Sequence, residues 1–331
     1  MDPWRYTASR RVVVAGLALS VGLNRSFAAA APDLRAKRLA LDPGHPDVDC
    51  LNLWRTEDSR QRPLVVLLPP YGGNAAYFDS SRLPSQLAAR GVDLAVAHTH
   101  ATGYMEQAKL ERLDKLLAFV RQHYGRQAAT RFAIGGFSAG GYAALRYAQL
   151  SRTAGATAFQ PSAVFSVDAP LDLARWYAGL EVASARLATR RPDSMFLGEA
   201  QYLTGLLRQL MGGTPQQEAR EYQQRSVFTA SLPDGGNAGQ LLTLAVRLYT
   251  EPDPEFFISQ GLDMMSSNAI DQIALVNVLR LLGHTDVSLV LTHGRGVRPD
   301  LGGRRLPHAW SIVDEDDLAA WLAARLGGVP G

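Results

Sequence analysis

The chain has 331 residues, 47% hydrophobic and 20% charged, enough to bury one sizeable core without disulfides or metals. Its single cysteine, Cys50, excludes an intrachain disulfide and a multi-cysteine metal site and is expected to be a small apolar filler. The formal charge of +3 resides in residues 1–30, which hold four arginines and one acid; the remainder carries 30 basic and 30 acidic residues, so nothing points to nucleic acid or an acidic membrane as partner.

In chain order, Ser9-Arg10-Arg11 heads a mildly apolar run, residues 12–23, diluted by Gly16, Ser20 and Gly22 and followed by Ala28-Ala29-Ala30-Ala31. A bilayer needs about 20 apolar residues, so this is the pattern of an export signal rather than a span. The paired arginines are similar to the twin-arginine signal. Cleavage is expected near Ala30, giving an exported, periplasmic or secreted protein with no membrane span left. Residues 31–50 are expected to be a loosely held lead-in, and 51–331 to form the folded domain.

Residues 51–55 alternate as a half-exposed strand, and residues 63–68 form an apolar run suited to a strand covered on both faces. A helix is predicted over 78–90, a strand over 92–97, and a long helix over 105–124 with Leu110, Leu113, Leu116, Leu117 and Val120 on one face. The strand at 131–134 leads into Gly136-Phe137-Ser138-Ala139-Gly140 and a helix over 141–148; another strand follows at 163–167. From about 171 to 237 the alternation breaks, and this stretch is read as a helical lid insertion, far longer than an ordinary crossover. Strands at 241–249 and 287–291 and helices at about 267–282 and 316–326 complete a mostly parallel sheet with helices on both faces.

The pentapeptide carries the chemistry. A strand turning into a helix at a serine is a nucleophile elbow, whose small neighbours let strand and helix approach. A serine needs a base, and a base needs an acid to orient it. Of the seven histidines, His308 occupies a loop after the last strand and before the last helix, where a general base belongs. For the acid, Asp253 is the first choice, held between two prolines past the strand ending at Tyr249; Glu251 is the runner-up and Asp168, just after the preceding strand, the third. The oxyanion requires two N–H donors. One is expected from Ala139, the other from Tyr71 or its neighbour Gly72, since Pro69 and Pro70 have none. His98 and His100 lack a third metal ligand at recognisable spacing, so with Trp310 they are expected to contact substrate and no metal is expected.

The order Ser138, Asp253, His308, with an elbow after one strand and an oxyanion loop two strands earlier, resembles the α/β-hydrolase superfamily. Pro307-His308-Ala309-Trp310, with Trp321 on the final helix, looks like its secreted esterase and acyltransferase branch, although Pro69-Pro70 stands where many members have His-Gly. The resemblance implies an α/β-hydrolase fold and a serine hydrolase cleaving a small-molecule or polymer-linked carboxylic ester through an acyl-enzyme, with no cofactor. An acyltransferase or a peptidase with the same residues, or a non-catalytic binding protein, are the alternatives.

Overall fold

Strands apolar at every position belong in the middle of a sheet covered on both faces, and three of them form its centre. The computed structural model describes residues 34–41, 50–55, 62–73, 75–98, 107–124, 131–153, 157–298 and 301–328. In it β3 (Leu64–Leu68), β5 (Phe132–Phe137) and β6 (Ala163–Val167) are buried throughout. Around them lie β1 (Arg35–Ala40), β2 (Cys50–Arg55), β4 (Asp93–His98), β7 (Ala245–Thr250) and β8 (Val287–Leu291) in the order β1-β2-β4-β3-β5-β6-β7-β8. The pairs β1–β2 and β2–β4 are antiparallel, and all others are parallel. A small ribbon of β9 (Val297–Arg298) and β10 (Arg304–Arg305) stands apart.

The period of two along a strand divides the core into two layers. Leu64, Val66, Leu68, Phe132 and Ile134 pack with α2 (Gln107–Tyr124), α3 (Ala139–Leu150) and α8 (Ala269–Leu281). Val65, Leu67, Ala133, Phe137 and Phe165 pack with α1 (Leu83–Ala89) and α9 (Glu315–Leu326). The final helix is well capped: the Asp314 side chain accepts from Asp317 N–H, three acids fill the first turn, and Gly327 takes a left-handed conformation after the last one.

Between β6 and β7 the chain inserts α4 (Leu173–Arg190), α5 (Met195–Met211) and α6 (Ala219–Arg225). Asp172 caps α4 by accepting from Ala174 and Arg175 N–H, and the α4–α5 pair buries Leu180, Ala183 and Leu187 against Leu197, Ala200 and Leu207. Both roots are fixed. At the first, buried Asp271 of α8 accepts from the N–H groups of Leu171 and Asp172 and pairs with Arg175. Burial pushes the Asp271 carboxyl up and Arg175 pulls it back. At the second, Tyr142 and Gln149 of α3 donate to the carbonyls of Arg225 and Val227.

Three expectations need correction. The lead-in contains β1, whose Arg35–Ala40 pair antiparallel with Arg55–Cys50; the basic residues of this strand suit an edge that must not recruit further strands. The predicted helix over 78–90 is a 3₁₀ turn, Ala75–Phe78, and then α1, with Pro84 in its first turn. Residues 236–241 form 3₁₀ helix, so the strand predicted over 241–249 is β7, Ala245–Thr250. The twin-arginine leader and most of the lead-in lie outside the described residues. No helix among the described residues is long and apolar enough to cross a membrane.

Candidate active site

The turn between β5 and α3 works because its glycines have no side chains. A methyl group on Gly140 would lie 2.1 Å from the Leu68 carbonyl oxygen, and one on Gly136 would lie 2.4 Å from the Gly140 carbonyl carbon. These close approaches let α3 leave the sheet at once and set its N-terminus against the end of β3. Ser138 sits at the bend with φ 55° and ψ −124°, a conformation that costs about 1–3 kcal/mol for a non-glycine residue. The only other non-glycine residue with positive φ among the described residues is Asp168, at φ 45°.

These two strained residues meet one histidine. The Nε2 of His308 lies 3.0 Å from Ser138 Oγ, and its Nδ1 lies 2.6 Å from Asp168 Oδ2. The sheet explains the meeting. β6 is the immediate neighbour of β5, strands are about 4.8 Å apart, and Asp168 is the first residue past β6. Ser138 N–H donates to the Val167 carbonyl and Asp168 N–H to that of Tyr249, so both strand ends are pinned. Thr250 donates its hydroxyl to Asp168 Oδ1 at 2.5 Å, and Asn268 donates to the Asp168 carbonyl. With Asp168 on Nδ1, that nitrogen carries the proton and Nε2 is free to accept one from the serine.

Asp253, the first choice from sequence, does not reach the imidazole, and neither does Glu251. Asp253 caps α7 (Pro254–Ser259) by accepting from Phe256 N–H, and its other oxygen pairs with Arg305 at 2.5 Å. Glu251, 1% exposed, accepts from the Thr292 hydroxyl and from the Arg295 and Gly296 N–H groups, and also pairs with Arg305. The two acids after β7 thus brace the loop that leads through β9 and β10 to His308. Sequence reasoning missed Arg305, 52 residues from Asp253, and no local pattern marks it.

An aromatic column supports the imidazole. His308 packs on Phe137 with centroids 4.7 Å apart, Phe137 stacks on Tyr77, and Arg298 lies over Tyr77. Trp310 does not line the site as expected: its ring packs edge-on against Phe78 and its N–H donates to Glu315, which also accepts from the Ser81 hydroxyl and Arg82 N–H. It anchors the segment that carries His308.

The loop after β3 forms a turn closed by Gly73 N–H to the Pro70 carbonyl, with Gly72 at φ 69°. Because Gly140 abuts the Leu68 and Pro69 carbonyls, this turn and the N–H of Ala139 flank Ser138. The Tyr71 hydroxyl bonds that of Tyr202 on α5 at 2.6 Å, joining the turn to the insertion. Three residues before Tyr202, on an exposed part of α5, stands Glu199. Desolvation pushes its carboxyl up, and His308 and Arg298 pull it back. Of the insertion's large apolar side chains, Trp176 and Tyr177 are buried, while Met195 and Tyr202 are exposed. The backbone of His98 ends β4 opposite Cys50; its side chain and the whole of His100 lie outside the described residues.

No family model matches the chain, and no curated protein matches it by sequence. Solved structures do. It is similar to carboxyl esterase 2 from the mycorrhizal fungus Tuber melanosporum, with a TM-score of 0.56 and 14% identity over 92% of this chain and 89% of that one. An inhibited esterase B from Lactobacillus rhamnosis gives 0.55 and 13% over 88% and 87%. Mycobacterium tuberculosis MPT51 gives 0.54 and 14% over 89% and 99%. The chain has the α/β-hydrolase fold, with an eight-stranded, mostly parallel sheet flanked by helices.

Proposed function

We propose that the protein is an exported serine hydrolase acting on carboxylic esters, with Ser138 as nucleophile, His308 as general base and Asp168 as the acid that orients it. The observation that carries this reading is the continuous chain from Ser138 Oγ through the His308 ring to Asp168 Oδ2, at 3.0 and 2.6 Å, on an elbow at a helix N-terminus. In the first half-reaction His308 Nε2 takes the serine proton as Oγ attacks the ester carbonyl. Asp168 stabilises the imidazolium, and Ala139 N–H with that of Tyr71, or alternatively Gly72, receives the oxyanion. The intermediate collapses as the imidazolium returns the proton to the departing alcohol. Water, deprotonated by the same nitrogen, then attacks the acyl-enzyme and frees the acid and Ser138.

None of these steps asks for a metal or cofactor, since base, orienting acid and oxyanion donors are all protein groups. The esterases among the similar folds support the substrate class, and the paired-arginine leader supports export. Ser138→Ala is expected to abolish ester turnover and labelling by a fluorophosphonate probe while the thermal melt stays within a few degrees of the parent; labelling that survives the substitution would refute the assignment. N-terminal sequencing of the secreted protein tests export, expecting a start near Ala31.

A further inference from the structure

The turn from α4 to α5 opens on a surface cavity of 470 Å3. Its charged lining is Arg190, Arg191 and Arg304 against a single acid, Asp193. Among the described residues none of these arginines forms an ion pair, whereas Arg305, next to Arg304, is held by Glu251 and Asp253. The three guanidiniums are exposed at the rim of one hollow, where they leave a net positive charge for an anion to meet. The C-terminal end of α4 and the N-terminal end of α5 both border the hollow, so their opposite partial charges offset each other and the arginines supply its positive charge.

Helix α5 links the cavity to the turn beside the serine: Met195 and Phe196 line the cavity, and Tyr202, further along the same helix, bonds the Tyr71 hydroxyl. A group held at the arginines therefore lies about two helical turns, roughly 10 Å along the helix, from Tyr202 and the Tyr71 turn that it bonds. That is the reach of a short acyl chain or a compact alcohol.

We propose that this cavity binds a carboxylate or phosphate group carried by the non-reacting end of the ester, which makes acidic esters the preferred substrates. The assignment of the group to the substrate rests on the hydrolase reading above. Arginine suits the task because its planar fork donates two parallel hydrogen bonds to such oxygens.

The test has two arms. In the first, calorimetry measures pyrophosphate binding to the full-length protein, to Arg304→Gln and Arg191→Gln, and to Asp193→Asn. Each arginine substitution is expected to weaken binding about five- to tenfold, and Asp193→Asn to tighten it, a gain that no loss of folding imitates. If pyrophosphate does not bind, or binds equally to all four proteins, the proposal is overturned. In the second arm, kcat/KM is compared for the mono-4-nitrophenyl ester of adipic acid and for 4-nitrophenyl hexanoate. The acidic-to-neutral ratio is expected to fall about fivefold or more in the arginine variants, with pyrophosphate competing against the acidic ester.

Arginine-dependent pyrophosphate binding with an unchanged ratio upholds the anion site but assigns it to a free anion in place of the substrate's tail. If neither ester turns over and fluorophosphonate does not label Ser138, the hydrolase reading falls, while the calorimetric arm still decides the cavity.

Discussion

Two neighbouring parallel strands, β6 and β7, each end in carboxylates at the same edge of the sheet, and the two ends meet different partners. Asp168 after β6 faces an imidazole and the Thr250 hydroxyl. Glu251 and Asp253 after β7 face a permanently charged guanidinium and the backbone of the following loop. The difference lies in the partner. A carboxylate that meets an arginine and two N–H groups has its lone pairs committed and its charge partly offset, which suits it to fixing a loop. One that meets an imidazole and a hydroxyl is placed, on the proposed reading, to stabilise a forming imidazolium.

The largest expected effect comes from breaking the β6 side. Asp168→Asn keeps shape but cannot accept the Nδ1 proton in the same way, and kcat should drop about 10⁴-fold in a steady-state assay while fluorophosphonate labelling slows in parallel. A drop smaller than tenfold would return the acid's role to the β7 end.

Glu251→Gln comes next. It leaves Arg305 with Asp253 as its one charged partner among the described residues and gives a buried and a part-buried N–H group a neutral amide, so urea denaturation should report a loss of about 3 kcal/mol. Activity should fall less than with Asp168→Asn, because the His308 loop is loosened and the chemistry is intact. A full loss of activity at unchanged stability would contradict the bracing role.

Asp253→Asn is the mildest. Asparagine caps helices nearly as well as aspartate, and Arg305 retains Glu251; stability is expected to change by less than about 1 kcal/mol and kcat by less than about threefold. Should this variant be as inactive as Asp168→Asn, the comparison between the two strand ends collapses.

Much of this arrangement was legible in the residues. Continuous apolar runs located β3, β5 and β6, and the glycines of the elbow announced a close approach that the Leu68 and Pro69 carbonyls now explain. The position of His308 between the last strand and the last helix marked it as the candidate base, and the ring lies between Ser138 and Asp168. The choice among acids was not legible, because it depends on where Arg305 comes to rest, and a distant arginine on a two-residue strand carries no periodic signal. Asp168 also relies on a positive φ that its side-chain type does not advertise. β1 was hidden for another reason: a short basic edge strand shows little of the hydrophobic alternation that marks a strand.

The strained pair Ser138 and Asp168 has a consequence for how activity arises during folding. They are 30 residues apart and are joined when one crossover closes, as Ser138 N–H finds the Val167 carbonyl. His308 lies 140 residues beyond Asp168 and 170 beyond Ser138, so its arrival is a late, long-range closure. On the proposed reading, a chain that has built its elbow but not docked the segment carrying His308 holds a serine without its base, so activity would follow the long-range docking of that segment.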